Sequence, residues 1–194
     1  MDPAILAELH RRYAEPHRAF HRWPRVAELL AQAEDVAAAI ADRSAFILAV
    51  LFHKAVFDRR EADCAKRSAA LMREMLGKGV ADWTLARAER LILALEAQKV
   101  PETRDVSLRG DAALLLDMDN AVLGTDAAEF DAYEAGYREE FAHLREDNYR
   151  LGRVAALQML LWRERIFLTD RFYLPLEKRA RRNVERLLTK LEGR

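Results

Sequence analysis

The sequence predicts an all-α fold, and three observations predict it. Seven Gly and five Pro in 194 residues leave few places for the chain to turn. The alternation of apolar and polar residues that marks a half-buried strand is nearly absent, and apolar residues recur instead at helical spacing. The content, 51% hydrophobic and 33% charged, is that of a globular chain long enough to bury one sizeable core. One domain spanning residues 1–194, with eight or nine helices, is the expectation.

Each element has a local reason. Pro3 sits in the first turn of AILAELHRRY, and Pro16 stops it. Pro24 opens RVAELLAQAEDVAAAIAD, in which Val26, Leu29, Leu30, Ala33, Val36 and Ile40 keep helical spacing, so the helix is expected to reach Asp42. Ser44 is the expected N-cap of AFILAVLFHKAVF, which is apolar nearly all round and therefore belongs at the centre. READCAKRSAALMREMLGKG is a fourth helix, with a glycine C-cap region at residues 77–79. DWTLARAERLILALEAQ, capped by Asp82, is the fifth. A loop around Pro101 leads to DAALLLDMDNAVLG. Two further helices span Asp126–His143 and Asp147–Trp162, and a charged helix closes the chain from Leu174.

Composition narrows the function classes. Thirty-two Lys and Arg balance thirty-two Asp and Glu, so bulk charge gives no reason to invoke nucleic acid or a membrane surface. A single cysteine, Cys64, makes no intrachain disulfide and suits a reducing compartment. No signal-peptide-like or membrane-spanning run is read, so a cytoplasmic protein is expected, bacterial in its Ala and Arg usage. Trp83 and Trp162 read as core or interface anchors, and His10 and His17 as surface or helix-end residues. The basic C-terminal run carries the apolar stripe Val184, Leu187, Leu188 and Leu191, fit to pack on the bundle or on a second copy in a homodimer. No aromatic platform supports RNA binding there.

The chemistry-bearing residues interrupt apolar segments. His53 and Lys54 follow seven consecutive apolar residues, and Asp117 and Asp119 break up ALLLDMDNAVLG. Isolated carboxylates in such settings are paired or metal-bound when buried. With His21, Asp58 and Asp63 they form a His-plus-carboxylate set of the kind that suits a divalent metal, although the spacing by itself is unspecific.

Four blocks of the chain, in order, carry a resemblance. RRYAEPHRAFHRWPRV is similar to R-Y-S-E-x-H-R-x-Y-H-x-x-x-H-I. LFHKAVFDRREADCAKRSA is similar to F-H-D-x-x-Y-D followed by D-N-E-x-x-S-A. LLLDMDNAVLG is similar to D-x-D-L-x-I-L-G, and the tail from YREEFAHLREDNYRLGRV to EKRARRNVERLL fits the same group. The group is a small bacterial set of predicted metal-dependent phosphohydrolases in the HD superfamily. The resemblance implies an all-helical bundle around a metal held by a His, a His-Asp pair and a later Asp. Those positions fall here on Arg25, on His53 and Lys54, and on Asp119; a further His falls on Gln98, and an Asn-Glu after Asp63 becomes Cys64 and Ala65.

Two of the four implied ligands are thus cations. Ammonium and guanidinium offer a metal no lone pair. Replacing Asp by Lys moves the local charge by two units, and a unit charge ~4 Å from another is worth about 4 kcal/mol at an effective dielectric of 20. Arg25 and Lys54 are therefore expected to stand in for the metal, neutralising Asp119 together with Asp58, Asp63 or Asp117. Three readings follow. One is a catalytically silent binding or regulatory module, a pseudoenzyme. Another is a cationic pocket in which Arg25 and Lys54 bind a phosphate or nucleotide without a cofactor. The third is a phosphohydrolase acting on a nucleotide or phosphate ester through a displaced Mn, Fe, Mg or Zn held by His53 and Asp119, with His21, Asp58, Asp63 and Asp117 nearby.

Overall fold

The computed structural model describes residues 1–77 and 79–193. Among them are nine α-helices, two short 3-10 turns and no strand, so the all-α expectation holds. The chain forms two compact units, Met1–Leu116 and Asp117–Arg194. No helix among the described residues is long and apolar enough to cross a membrane.

The first unit holds α1 (Pro3–Tyr13), α2 (Trp23–Asp35), α3 (Arg43–Phe52), α4 (Cys64–Leu76), α5 (Asp82–Ala97) and the start of α6 (Val106–Asn120). As its composition dictates, α3 lies at the centre, packed on α2, α4 and α5. Phe46, Ala49, Val50 and Phe52 of α3 are buried together with Leu9, Tyr13, Leu29, Met72, Leu91 and Ile92.

Several boundaries differ from the sequence expectation, and at the ends of α2 and α3 a distant side chain takes up the backbone. α2 ends at Asp35, and a 3-10 turn at Ala37–Ala39 follows. The buried Asp111 carboxylate accepts from the backbone N–H of Ala41 and Asp42 (2.7 and 3.1 Å), and Arg87 holds that carboxylate at 3.0 Å. The cap of α3 is Asp42, bonded to the Ala45 N–H, rather than Ser44. α3 stops at Phe52 instead of running to Phe57, because the next turn finds its backbone partners on side chains of α1 and α4. Tyr13 Oη accepts from the Lys54 N–H, and Ser68 Oγ both accepts from the Val56 N–H and donates to its carbonyl. α4 starts at Cys64, after Asp63 in the left-handed region (φ 59°). Asp82 is the first residue of α5 and Ala81 its cap, while Gln98 closes α5 in the left-handed region (φ 49°). Helix also extends back from Asp111 to Val106, into what the sequence presents as loop.

The second unit contains the end of α6, a 3-10 turn at Ala121–Gly124, α7 (Ala127–Glu140), α8 (Glu146–Trp162) and α9 (Asp170–Glu192). α9 begins four residues before the predicted Leu174 and contains Pro175 in its second turn. It packs on α8 and on the 121–124 turn. A Cβ on Gly124 would lie 2.7 Å from Leu176 Cβ and 3.2 Å from the Leu176 carbonyl, so only glycine permits this approach. Asn183 Nδ2 donates to the Leu123 and Thr125 carbonyls, both at 3.0 Å. Leu123, Phe130, Ile166, Phe167 and Ala180 form one apolar cluster, and Leu157, Val184 and Leu188 another. The predicted C-terminal stripe therefore packs within its own unit. Trp83 and Trp162 are not core residues: they are 67% and 82% exposed.

Candidate functional site

The site is built in the first unit from two backbone segments that leave their helices early. One runs from Ala14 to Arg22 after α1, the other from His53 to Asp63 after α3. Arg18 joins them. Its side chain is completely buried, and its guanidinium donates to the carbonyls of Lys54 (2.7 Å), His21 (3.3 Å) and Ala55 (3.3 Å). The other side of the fork pairs with Glu15 at 2.9 Å. A planar fork with five donors suits a site where several carbonyls converge. His17 adds a second tie, its Nε2–H donating to the Phe57 carbonyl at 2.6 Å.

Phe57 is the hub of what these ties position. Its buried ring lies 4.7 Å from the His21 ring and has three cations close to it: Arg59 at 5.0 Å, Arg18 at 5.2 Å and Lys54 at 5.8 Å. Such contacts are worth about 0.5–2 kcal/mol each, according to how far the cation is desolvated. His21 in turn meets Phe20 edge-on at 5.0 Å, and Arg25 lies 5.5 Å from the Phe20 ring. His21, Arg25 and His53 are all buried. His53 caps α3 with its Nδ1 at 2.8 Å from the Val50 carbonyl.

The carboxylate that meets Lys54 is Glu96 on α5, with Nζ to Oε2 at 2.6 Å. Lys54 is 14% exposed at the side chain and Glu96 51%. Partial burial pushes the Glu96 carboxyl up, but Lys54, Arg59 and His21 outweigh it and hold the group below its ordinary value. Arg25 pairs with Glu28, one turn along α2, at 3.0 Å. Lys54 and Arg25 thus each meet a glutamate, Glu96 and Glu28, that did not stand out in the sequence.

The remaining predicted positions are placed as follows. Asp58 is bonded to Arg60 (2.7 Å), whose hydrogen bonds hold its carboxyl well below the usual range. Asp63 is exposed and pairs with Lys66 at 3.1 Å. Gln98 donates to the Leu95 carbonyl at the end of α5. Cys64 is buried and directs its thiol to the Asp58 and Glu61 carbonyls. Asp117 and Asp119 belong to the second unit, on the last turn of α6. Asp117 is fully buried and accepts from Leu168 N–H, Thr169 N–H and Thr169 Oγ1, in the segment leading into α9, at 2.6–2.7 Å. Burial pushes its carboxyl up against the pull of those bonds.

The donor set does not fit a divalent metal held as the resemblance implies. Lys54 and Arg25 have no lone pair to give, Asp117 is engaged by three donors of Leu168 and Thr169 ahead of α9, and Asp58 and Asp63 are paired with cations. Among the described residues of either unit, no three His, Cys, Asp or Glu side chains gather as a metal-holding group. What the first unit does assemble is a set of cations around one aromatic ring, faced by the half-exposed Glu96. Sequence reasoning missed Arg18, Phe57, Arg59 and Glu96. Glu15 and Arg18 carried a signal, an i,i+3 ion-pair spacing, whereas Glu96 lies 42 residues from its partner and carried none.

Compared with family models, curated proteins and solved structures, the chain finds no match.

Proposed function

We propose that the protein is a non-catalytic, HD-like helical module that binds a small phosphorylated anion at the cationic cluster of its first unit. The observation that carries this reading is the Lys54–Glu96 contact at 2.6 Å beside Phe57, with Arg59 and His21 acting on the same carboxylate. Glu96 supplies an anionic oxygen to a set of donors that would equally receive a phosphate oxygen, and its exposure leaves it displaceable. Lys54 offers a point charge, and Arg59 and Arg25 offer forked donors suited to phosphate. Hydrolysis by way of a metal is not part of the proposal, because the residues at the implied ligand positions are cations.

The test is a thermal-shift titration with inorganic phosphate and with mononucleotides. A ligand that binds only the folded chain adds about 2.7 kcal/mol at one hundred times its Kd. For a chain of this length that raises the midpoint by roughly 5–10 °C. Lys54→Met and Arg59→Met are each expected to abolish the shift, and Glu96→Gln to move the titration to lower ligand concentration. No shift with any phosphate, or an equal shift in both cation variants, overturns the proposal.

A further inference from the structure

Helix α8 is apolar on two opposite sides. One side packs within its own unit: Leu157 is buried against Val184 and Leu188, with Val154, Leu160 and Leu161 around it. The other side presents Leu151, Ala155, Met159 and Trp162, all exposed, the three large residues at 74%, 65% and 82%. At 100° per residue these four fall within an arc of about 80°. A solvated helix face is polar, and a helix apolar all round is one that is covered. From Asn148 to Trp162 this outward face carries no charged side chain.

Next to that row lies a hollow of about 200 Å³, floored by Gly152 and Ala156 and walled by Tyr137, Phe141 and Asn148. A Cβ on Gly152 would meet nothing within 4 Å, so packing inside the chain gives no reason for glycine there. Glycine in a helix interior nonetheless costs about 1 kcal/mol relative to alanine. The chain therefore displays two large knobs, Met159 and Trp162, with no hole to receive them, and a hole with no knob to fill it.

We infer that a second copy of this chain docks on α8, antiparallel, about a two-fold axis near Ala155 and Ala156. In that arrangement Met159 of each copy enters the hollow over Gly152 of the other, and Trp162 covers its rim. The charges set the direction. Glu146 and Asp147 occupy the first turn of α8, while Arg163, just past its end, makes no ion pair among the described residues. Antiparallel pairing sets Asp147 of one copy against Arg163 of the other and opposes the two helix dipoles; parallel pairing would set Arg163 against Arg163. The same patch on both copies is the condition for a closed two-fold interface. The exposed apolar surface, on the order of 500 Å² per copy, is below the ~800 Å² per partner of a standard stable interface, so the dimer should dissociate on dilution. None of this depends on the anion-binding reading.

Sedimentation of the full chain over a wide concentration range tests the inference. The expected result is a species of twice 22.3 kDa at high concentration that returns to 22.3 kDa on dilution. Gly152→Leu has room to fold, and by filling the hollow from within it should leave a monomer of undiminished thermal stability. Trp162→Ser should weaken association at least ten-fold, while Trp83→Ser, also exposed but in the first unit, should leave it unchanged. Arg163→Glu should weaken it, and adding Asp147→Arg to the same chain should restore it. A monomer at every concentration overturns the inference, including one that pairs only with a different protein. So does a dimer indifferent to Gly152→Leu and Trp162→Ser.

Discussion

Replacing Arg18 by Met should be among the most damaging single changes in the first unit. The side chain is fully buried and its guanidinium serves three backbone carbonyls, those of His21, Lys54 and Ala55, besides the Glu15 carboxylate. Methionine keeps most of the aliphatic volume and removes every donor. Hydrogen bonds to a charged group contribute about 1.5–3 kcal/mol each, and breaking a buried pair from one side costs about 3–5 kcal/mol. The contributions share one side chain and do not add, so a loss of about 3–5 kcal/mol is expected. The lost contacts to the Tyr13 and Phe57 rings, at 5.0 and 5.2 Å, are the smaller effect. Against a typical total of about 5–15 kcal/mol this is a large fraction. Urea unfolding followed by far-UV circular dichroism measures it. Arg18→Lys keeps the charge without the fork and should lie between the wild type and Arg18→Met. A loss below about 1 kcal/mol for Arg18→Met would refute the claim that this fork holds the two segments together.

Gly124→Ala should destabilise by about 1–3 kcal/mol, because its methyl lands 2.7 Å from Leu176 Cβ; a thermal midpoint equal to wild type would contradict that. Glu134 and Arg153, a mutually bonded pair buried between α7 and α8, should show strong coupling. Arg153→Met alone should cost about 3–5 kcal/mol, and Arg153→Met with Glu134→Leu much less, as a double-mutant cycle in urea will report. The Glu96 carboxyl is held below the ordinary glutamate value, so its contribution is present above that ordinary value and lost as pH falls through the folded-state one. Since Glu96 is half-exposed, the effect is at most about 1 kcal/mol. Acid unfolding curves should show it shrinking in Lys54→Met, and an unchanged curve would remove Lys54 as its cause.

Helix identity was legible wherever the deciding forces are local. Apolar spacing and the prolines at 3, 16 and 24 located the first elements, and Asp126 marked the start of α7 as its side chain accepts from the Glu129 N–H. The errors came where a distant side chain supplies a backbone partner. Asp111 ends the α2 region seventy residues away, and Arg18 and Tyr13 draw the 53–55 turn out of α3. Nothing in a local window reports such contacts. At the site, the chemistry of Lys54 was legible as a cation in an apolar run, but its partner was not, since Glu96 looks like any solvated glutamate on α5. Asp117 illustrates the reverse case. Its position in an apolar run correctly signalled engagement, and the engagement is with the backbone leading into α9 rather than with a pocket. Trp162 was legible as an anchor, and its exposure turns attention from the core to a partner.

The claim at the centre is that fixed side-chain cations do here what a bound metal does at the implied ligand positions. Elemental analysis of the purified full chain, before and after dialysis with Mn, Fe, Mg and Zn, addresses it most directly. The account predicts no stoichiometric metal, and no change in whatever trace is present on His53→Ala. One equivalent of a divalent metal, lost on His53→Ala or Asp119→Ala, would contradict it and favour a working hydrolytic centre.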